Sequence, residues 1–222
     1  YKINTAKNEQ TETWFKGLDR VYNNFVYDFL YPDPTSVLAF IENHDTDRFL
    51  GEGDNLPMLK QASTLLLTTR RIPQLYYGTE IMMNGVKSKS DGYVRKDFPG
   101  GWSDDKANAL TAAGRTKLQN ECYNFYKTLL NWRKGNEVIA KGNMTQFMVQ
   151  HGVYAYARQY NGKTVFVMLN GTDEATTLPL KYYKEILKDH AQGKDILTGR
   201  IINLDGELTM SPRESLVIEI FP

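Results

Sequence analysis

With 222 residues, 41% of them hydrophobic and 12% aromatic, the chain holds enough apolar material for one large or two small packed domains. Its 27 basic and 26 acidic residues nearly cancel, which excludes the strong basic field that a nucleic-acid partner needs. No stretch approaches the roughly 20 apolar residues of a membrane span.

The first residues, Tyr1-Lys2-Ile3-Asn4, show neither an initiating Met nor a signal-peptide pattern, which reads as a processed or truncated chain. Over residues 12–30, Trp14, Phe15, Leu18, Val21, Tyr22, Phe25, Val26 and Phe29 recur at helical steps and predict an amphipathic helix. Tyr31-Pro32-Asp33-Pro34 ends it. Residues 36–41 form a short continuous apolar run that predicts a strand buried on both faces, with Asn43, His44 and Asp45 at its C-terminal end.

Residues 56–71 predict a helix with Pro57 near its start, and Ile72-Pro73-Gln74-Leu75-Tyr76-Tyr77 predicts a second buried strand closed by Gly78. Residues 84–105 lack any period and predict a long irregular loop. A long helix follows over 111–133, stopped before Gly135. This alternation of strand and helix gives β/α units with a parallel sheet.

Beyond Gly142 the texture changes. Residues 144–150, 153–160 and 164–169 alternate like strands, joined by His151-Gly152 and Asn161-Gly162 as hairpin turns. Residues 195–197, 201–204, 207–210 and 215–220 continue the pattern. The expectation is a boundary near residue 138 and an antiparallel sandwich after it.

In a parallel α/β protein, reactive groups gather at C-terminal strand ends, where His44 and Asp45 stand. A carboxylate beside an imidazole, with Arg48 three residues on, can bind a polar substrate and stabilise developing positive charge. The same residues can also simply satisfy one another, or offer metal ligands through His44, Asp45 and Asp47. A second histidine at ligating spacing is missing, and so is a nucleophile-elbow pattern.

Three ordered motifs carry a resemblance. Phe40-Ile41-Glu42-Asn43-His44-Asp45 followed by Thr46-Asp47-Arg48 resembles the segment that ends the seventh barrel strand of the α-amylase family. Pro73-Gln74-Leu75-Tyr76-Tyr77-Gly78-Thr79-Glu80-Ile81 resembles that family's eighth strand. Gly92-Tyr93-Val94-Arg95-Lys96-Asp97-Phe98-Pro99-Gly100-Gly101-Trp102 is similar to the neopullulanase and cyclomaltodextrinase branch.

The resemblance implies a fold of α/β plus all-β class: residues 1–137 as the C-terminal portion of a (β/α)8 TIM barrel, about strands 7–8 and helices 6–8, then residues 138–222 as an antiparallel β-sandwich. It implies a retaining glycoside hydrolase acting on α-1,4 and, as an open alternative, α-1,6 glucosidic bonds in maltooligosaccharides, pullulan or cyclodextrins. A catalytically inactive scaffold of the same fold and a transglycosylase are the competing readings. Asp45 would stabilise the oxocarbenium-like transition state and His44 would bind sugar hydroxyls, with Asn43, Arg48, Arg95 and Trp102 as further candidate substrate contacts.

The two other carboxylates of a retaining enzyme, set about 5 Å apart, are implied to lie upstream, leaving this stretch alone inactive. No cofactor is implied, and a structural calcium would belong to that upstream part. The implied partners are an α-glucan oligosaccharide and the upstream part of the same protein, with a homodimer left open. An extracytoplasmic, periplasmic location is implied, with the cytoplasm as its alternative.

Other residues read more plainly. Cys122 sits on an apolar helix face as a buried thiol, and Arg95 has Asp97 as a neighbouring partner in its loop. Trp102, Phe98 and Tyr93 either stack on sugar rings or pin the loop. Tyr76 and Tyr77 pack at a strand end, Tyr154, Tyr156 and Tyr160 share one strand face as packing residues, and His151 and His190 are exposed.

Overall fold

The computed structural model describes residues 17–187 and 190–221, and it falls into a helical portion with one parallel strand pair followed by an antiparallel β-domain. Helix α1 (Asp19–Val26) continues as a 3-10 turn over Tyr27–Leu30. It buries Val21, and Leu18 at its N-cap is buried as well. The Trp14 and Phe15 part of the expected helix lies outside the described residues.

Strands β1 (Leu38–Ala39) and β2 (Ile72–Pro73) pair in parallel, with Leu38 opposite Ile72 and Ala39 opposite Pro73. Parallel neighbours need a crossover, and helix α2 (Leu56–Thr68) provides it. Asn55 starts α2 by accepting the Met58 N–H, and Pro57 fits the first turn, where its missing N–H is not needed. Both strands are shorter than expected, and they are not buried on both faces. Leu38, Phe40 and Ile72 are about half exposed because each strand has only the other as a sheet neighbour among the described residues.

The loop after β2 contains one short helix, α3 (Asp91–Val94). Helix α4 (Lys117–Arg133) begins later than expected, since residues 108–116 are used in turns and a cap. Thr116 and Gln119 form a reciprocal capping box at its start. Cys122, Tyr126 and Leu129 of α4 pack on Leu56, Leu59 and Leu67 of α2, and the Ser63 and Tyr126 hydroxyls meet within this core. Helix α5 (Glu137–Lys141) spans the expected boundary.

The β-domain contains β3 (Asn143–Gln150), β4 (Val153–Tyr160), β5 (Lys163–Asn170), β6 (Thr176–Pro179), β7 (Gln192–Asp195), β8 (Ile201–Asn203), β9 (Glu207–Met210) and β10 (Ser215–Ile220), with helix α6 (Lys184–Leu187) between β6 and β7. The large sheet runs β3-β4-β5-β10-β7-β8, and β6 pairs with β9 alone. Both expected hairpins form. His151-Gly152 and Asn161-Gly162 all take positive φ, from 49° to 79°, as a type I′ turn requires.

The strand expected at 195–197 ends at Asp195 instead. Its buried carboxylate accepts from the N–H groups of Leu197, Thr198 and Val217, so the chain turns there. Alternation then divides the large sheet's two faces. Phe166, Met168, Leu216 and Ile218 pack with Leu178, Met210 and Tyr183 on one side. Tyr154, Tyr156, Val167 and Leu169 pack with Leu18, Val21 and Ala62 on the other. The tyrosines of β4 are therefore packing residues, and the Tyr156 hydroxyl bonds Thr68 at 2.6 Å.

Candidate functional site

Residues 42–48 follow β1 at the C-terminal end of a parallel strand, and their side chains divide into a buried floor and an exposed rim. Glu42 and Arg48, only 2% and 1% exposed, form the floor. Arg48 Nη1 donates to Glu42 Oε1 at 3.1 Å and to the Tyr77 carbonyl at 2.7 Å, and Nε donates to the Val94 carbonyl at 3.0 Å. Its guanidinium lies 4.0 Å from the Tyr76 ring centre and 4.9 Å from that of Tyr77.

Glu42 also accepts from the Phe49 N–H and from Thr79 Oγ1. This one carboxylate ties the end of β1 to the segment after β2. The sequence reading placed Arg48 among substrate contacts. The structure makes it the buried partner of Glu42: its Nε and Nη1 donate to protein groups, its Nη2 is buried without a hydrogen-bond partner, and aromatic rings cover its plane.

Above this floor the chain turns sharply. Asn43 Oδ1 accepts the Asp45 N–H at 2.9 Å, the Asn43 N–H donates to Thr46 Oγ1 at 3.1 Å, and Thr46 Oγ1 donates to the Asp47 carbonyl at 3.0 Å. The turn leaves His44 and Asp45 facing solvent, their side chains 60% and 59% exposed. His44 Nε2 stands 3.1 Å from Asp45 Oδ2. Asn43 thus serves first to shape the turn.

The loop of residues 84–97 closes on this rim. Arg95 Nη2 donates to Asp45 Oδ1 at 3.1 Å, and Arg95 Nε donates to the His44 carbonyl at 3.0 Å. Arg95 also reaches Asp91 at 3.5 Å, so its expected pairing with Asp97 gives way to Asp45 and Asp91. Lys87 joins from the same loop, its N–H donating to Asp47 Oδ1 and its Nζ to the Asp45 carbonyl. Further out, Lys89 bonds Glu52, and that hydrogen bond holds the Glu52 carboxyl below its usual range. Lys89 and Lys96 lie over the Tyr93 ring at 4.4 and 3.8 Å, so Tyr93 is covered by cations.

Trp102 is 66% exposed. Its turn is fixed from below: Asp105 Oδ2 accepts from the Gly100 and Trp102 N–H groups at 2.7 and 2.9 Å. Gly100 has φ of 105°, and a Cβ there would overlap Asn108. The indole face is therefore presented on a shaped turn.

Among the described residues no group of three or more His, Cys, Asp and Glu gathers as a metal site. Cys122 is buried, and that burial pushes its thiol up to about 12, so it is no nucleophile. His151 is exposed, while His190 is half-buried, against expectation. Sequence reasoning missed Glu42, Lys87 and Asp91. The spacing of Asp91 and Arg95, four apart, was the one local signal available.

Comparisons with known proteins follow this order along the chain. Residues 144–219 match the family described as the cyclo-malto-dextrinase C-terminal domain. A cyclomaltodextrin glucanotransferase of Thermoanaerobacterium thermosulfurigenes is 30% identical over 203 residues, 88% of this chain and 26% of the relative. An α-amylase of Niallia circulans is 28% identical over 206 residues, 89% of this chain and 35% of the relative.

Among solved structures, the α-amylase of Geobacillus thermoleovorans complexed with acarbose matches with a TM-score of 0.73 at 23% identity, covering 92% of this chain and 43% of that one. The cyclomaltodextrin glucanotransferase CldA matches with a TM-score of 0.70 at 25% identity, covering 91% and 40%. The chain spans about a quarter to a third of the length of these curated relatives.

Proposed function

The chain belongs with the α-amylase-family glycoside hydrolases, whose C-terminal part it matches, and from that premise we propose that the full-length protein is a retaining α-glucan glycosidase of neopullulanase-like type. It acts on α-1,4 glucosidic bonds in maltooligosaccharides, pullulan or cyclodextrins, with α-1,6 bonds as the open alternative. Residues 1–137 supply the last strands and helices of a (β/α)8 barrel, and residues 138–222 the β-sandwich that braces it. The nucleophile and the general acid/base come from upstream, so this stretch alone is inactive.

One observation carries this reading. His44 and Asp45 stand exposed and adjacent at the C-terminal end of a parallel strand, on a floor locked by Glu42 and Arg48. Such a carboxylate can hold sugar hydroxyls and stabilise the positive charge that develops at the anomeric carbon. His44 donates or accepts at a neighbouring hydroxyl, and Trp102 offers an aromatic face to a sugar ring. Arg48 acts through the groups it holds, Glu42 and the Tyr77 and Val94 carbonyls.

The names of the relatives favour a second reading. The glucanotransferases are transferases, so a sugar hydroxyl in place of water is the competing acceptor. Polymeric α-glucans do not cross a cytoplasmic membrane, which supports an extracytoplasmic location. Asp45→Asn in the full-length protein tests the role: the substitution keeps the shape but removes the charge. Hydrolysis of maltoheptaose should fall about 10²–10³-fold, as when one preorganised electrostatic group is lost. Activity within a factor of three of wild type would remove Asp45 from the chemistry.

A further inference from the structure

We propose that Arg95 is a positioning residue for Asp45, fixing the plane of its carboxylate so that the remaining lone pairs face the substrate side. This rests on the reading of Asp45 given above. The fork is the first argument. Nε is committed to the His44 carbonyl at 3.0 Å and Nη2 to Asp45 Oδ1 at 3.1 Å, so the guanidinium bridges main chain and side chain of consecutive residues. A planar fork fixes direction as a point charge does not.

His44 Nε2 occupies the other oxygen of Asp45, Oδ2, at 3.1 Å. A carboxylate offers about four lone-pair sites, so two contacts on different oxygens set its plane and leave acceptors free. The carboxylate remains 59% exposed for a ligand to approach.

Arg95 is itself held. Asp91 grips it one helical turn back at 3.5 Å, and its N–H closes α3 on the Gly92 carbonyl. The loop is anchored to the strand tip through main chain as well. The Arg48 N–H donates to the Gly85 carbonyl at 3.0 Å, and Gly85 passes so close to Tyr93 that a Cβ would sit 2.7 Å from its carbonyl oxygen. An exposed ion pair contributes little to stability, so a fork built with this many supports points to direction as its purpose.

The test is a double-mutant cycle in the full-length protein, read as hydrolysis of maltoheptaose by wild type, D45N, R95A, R95K and D45N/R95A. R95A should lower kcat about 10- to 100-fold with KM little changed, as a misplaced reacting group does. R95K should recover part of the loss. The double variant should be no worse than D45N, because Arg95 acts through Asp45.

Losses that multiply in the double variant overturn the proposal, as does an R95A variant whose KM rises with kcat intact, which would make Arg95 a substrate contact. If R95A fails to fold, D91N replaces it in the cycle. Loosening the grip on Arg95 should then lower kcat more modestly, with the same dependence on Asp45, and an additive D91N effect overturns the proposal. Full activity in D45N instead overturns the reading of Asp45 itself, and this inference with it.

Discussion

Burying Glu42 beside Arg48 strips both charges of water, a cost of several kcal/mol per ion that their attraction offsets only if every remaining donor and acceptor finds a partner. Glu42 meets that condition through Phe49 and Thr79, whereas Arg48 gains two carbonyls and an aromatic plane but leaves its buried Nη2 without a hydrogen-bond partner. Glu42→Ala leaves the cation buried alone and should cost about 3–5 kcal/mol. Urea unfolding of the full-length protein measures this, and a loss under about 1 kcal/mol would show the floor to be dispensable. At this scale the rim was legible and the floor was not. Asn43, His44 and Asp45 are adjacent in sequence and end a strand, whereas the partners of Arg48 come from Tyr76, Tyr77 and Val94. Arg95 was misread for the same reason: Asp97 is nearer in sequence, but Asp45 is nearer in space.

Elements divide the same way, between local and distant causes. The β3–β4 and β4–β5 hairpins were readable because Gly152 and Gly162 accept the positive φ of type I′ turns without strain. Strand β6 escaped notice since its short, threonine-rich run shows no apolar alternation, and it pairs only with the distant β9. The end of β7 follows from the cap built by Asp195, which hydrophobicity at Ile196 and Leu197 conceals. Strand β4 also carries the joint with the helices. Buried Arg158 donates to the carbonyls of Thr68, Ile139 and Gly142, gathering α2, α5 and β4 at one point. Burial lowers its pKa to about 10, the mark of a cation held without a carboxylate. Arg158→Ala leaves those carbonyls unpaired and should destabilise the protein by about 2–3 kcal/mol. An unchanged urea midpoint would contradict this account of the joint.

Across the whole molecule, burial in the helical core and on both faces of the large sheet keeps several acidic groups neutral. Burial pushes Cys122 from a usual value near 9 up to about 12 and Tyr183 up to about 12, and it raises Tyr126, Tyr154 and Tyr156 as well. The unfolded chain therefore releases these protons first as pH rises. The native state binds more protons in that window, so stability is full below about pH 9 and declines toward pH 12. Urea midpoints should fall across that range, and Tyr183→Phe should flatten the decline. A midpoint constant to pH 11 would contradict it.

The strand pair β1 and β2, half exposed at Leu38, Phe40 and Ile72, was legible as β/α units but not as buried strands. Burial there depends on sheet neighbours that a local sequence pattern cannot supply. Taken together, a parallel strand end bearing His44 and Asp45 and a β-domain like those of the relatives make one central claim, retaining cleavage of α-glucans by the full-length protein. The measurement that tests it most directly is proton NMR of the first product released from maltoheptaose. Appearance of the α-anomer before mutarotation is the expected result, since two displacements at the anomeric carbon restore its configuration. Initial release of the β-anomer, or no release at all, would contradict the account.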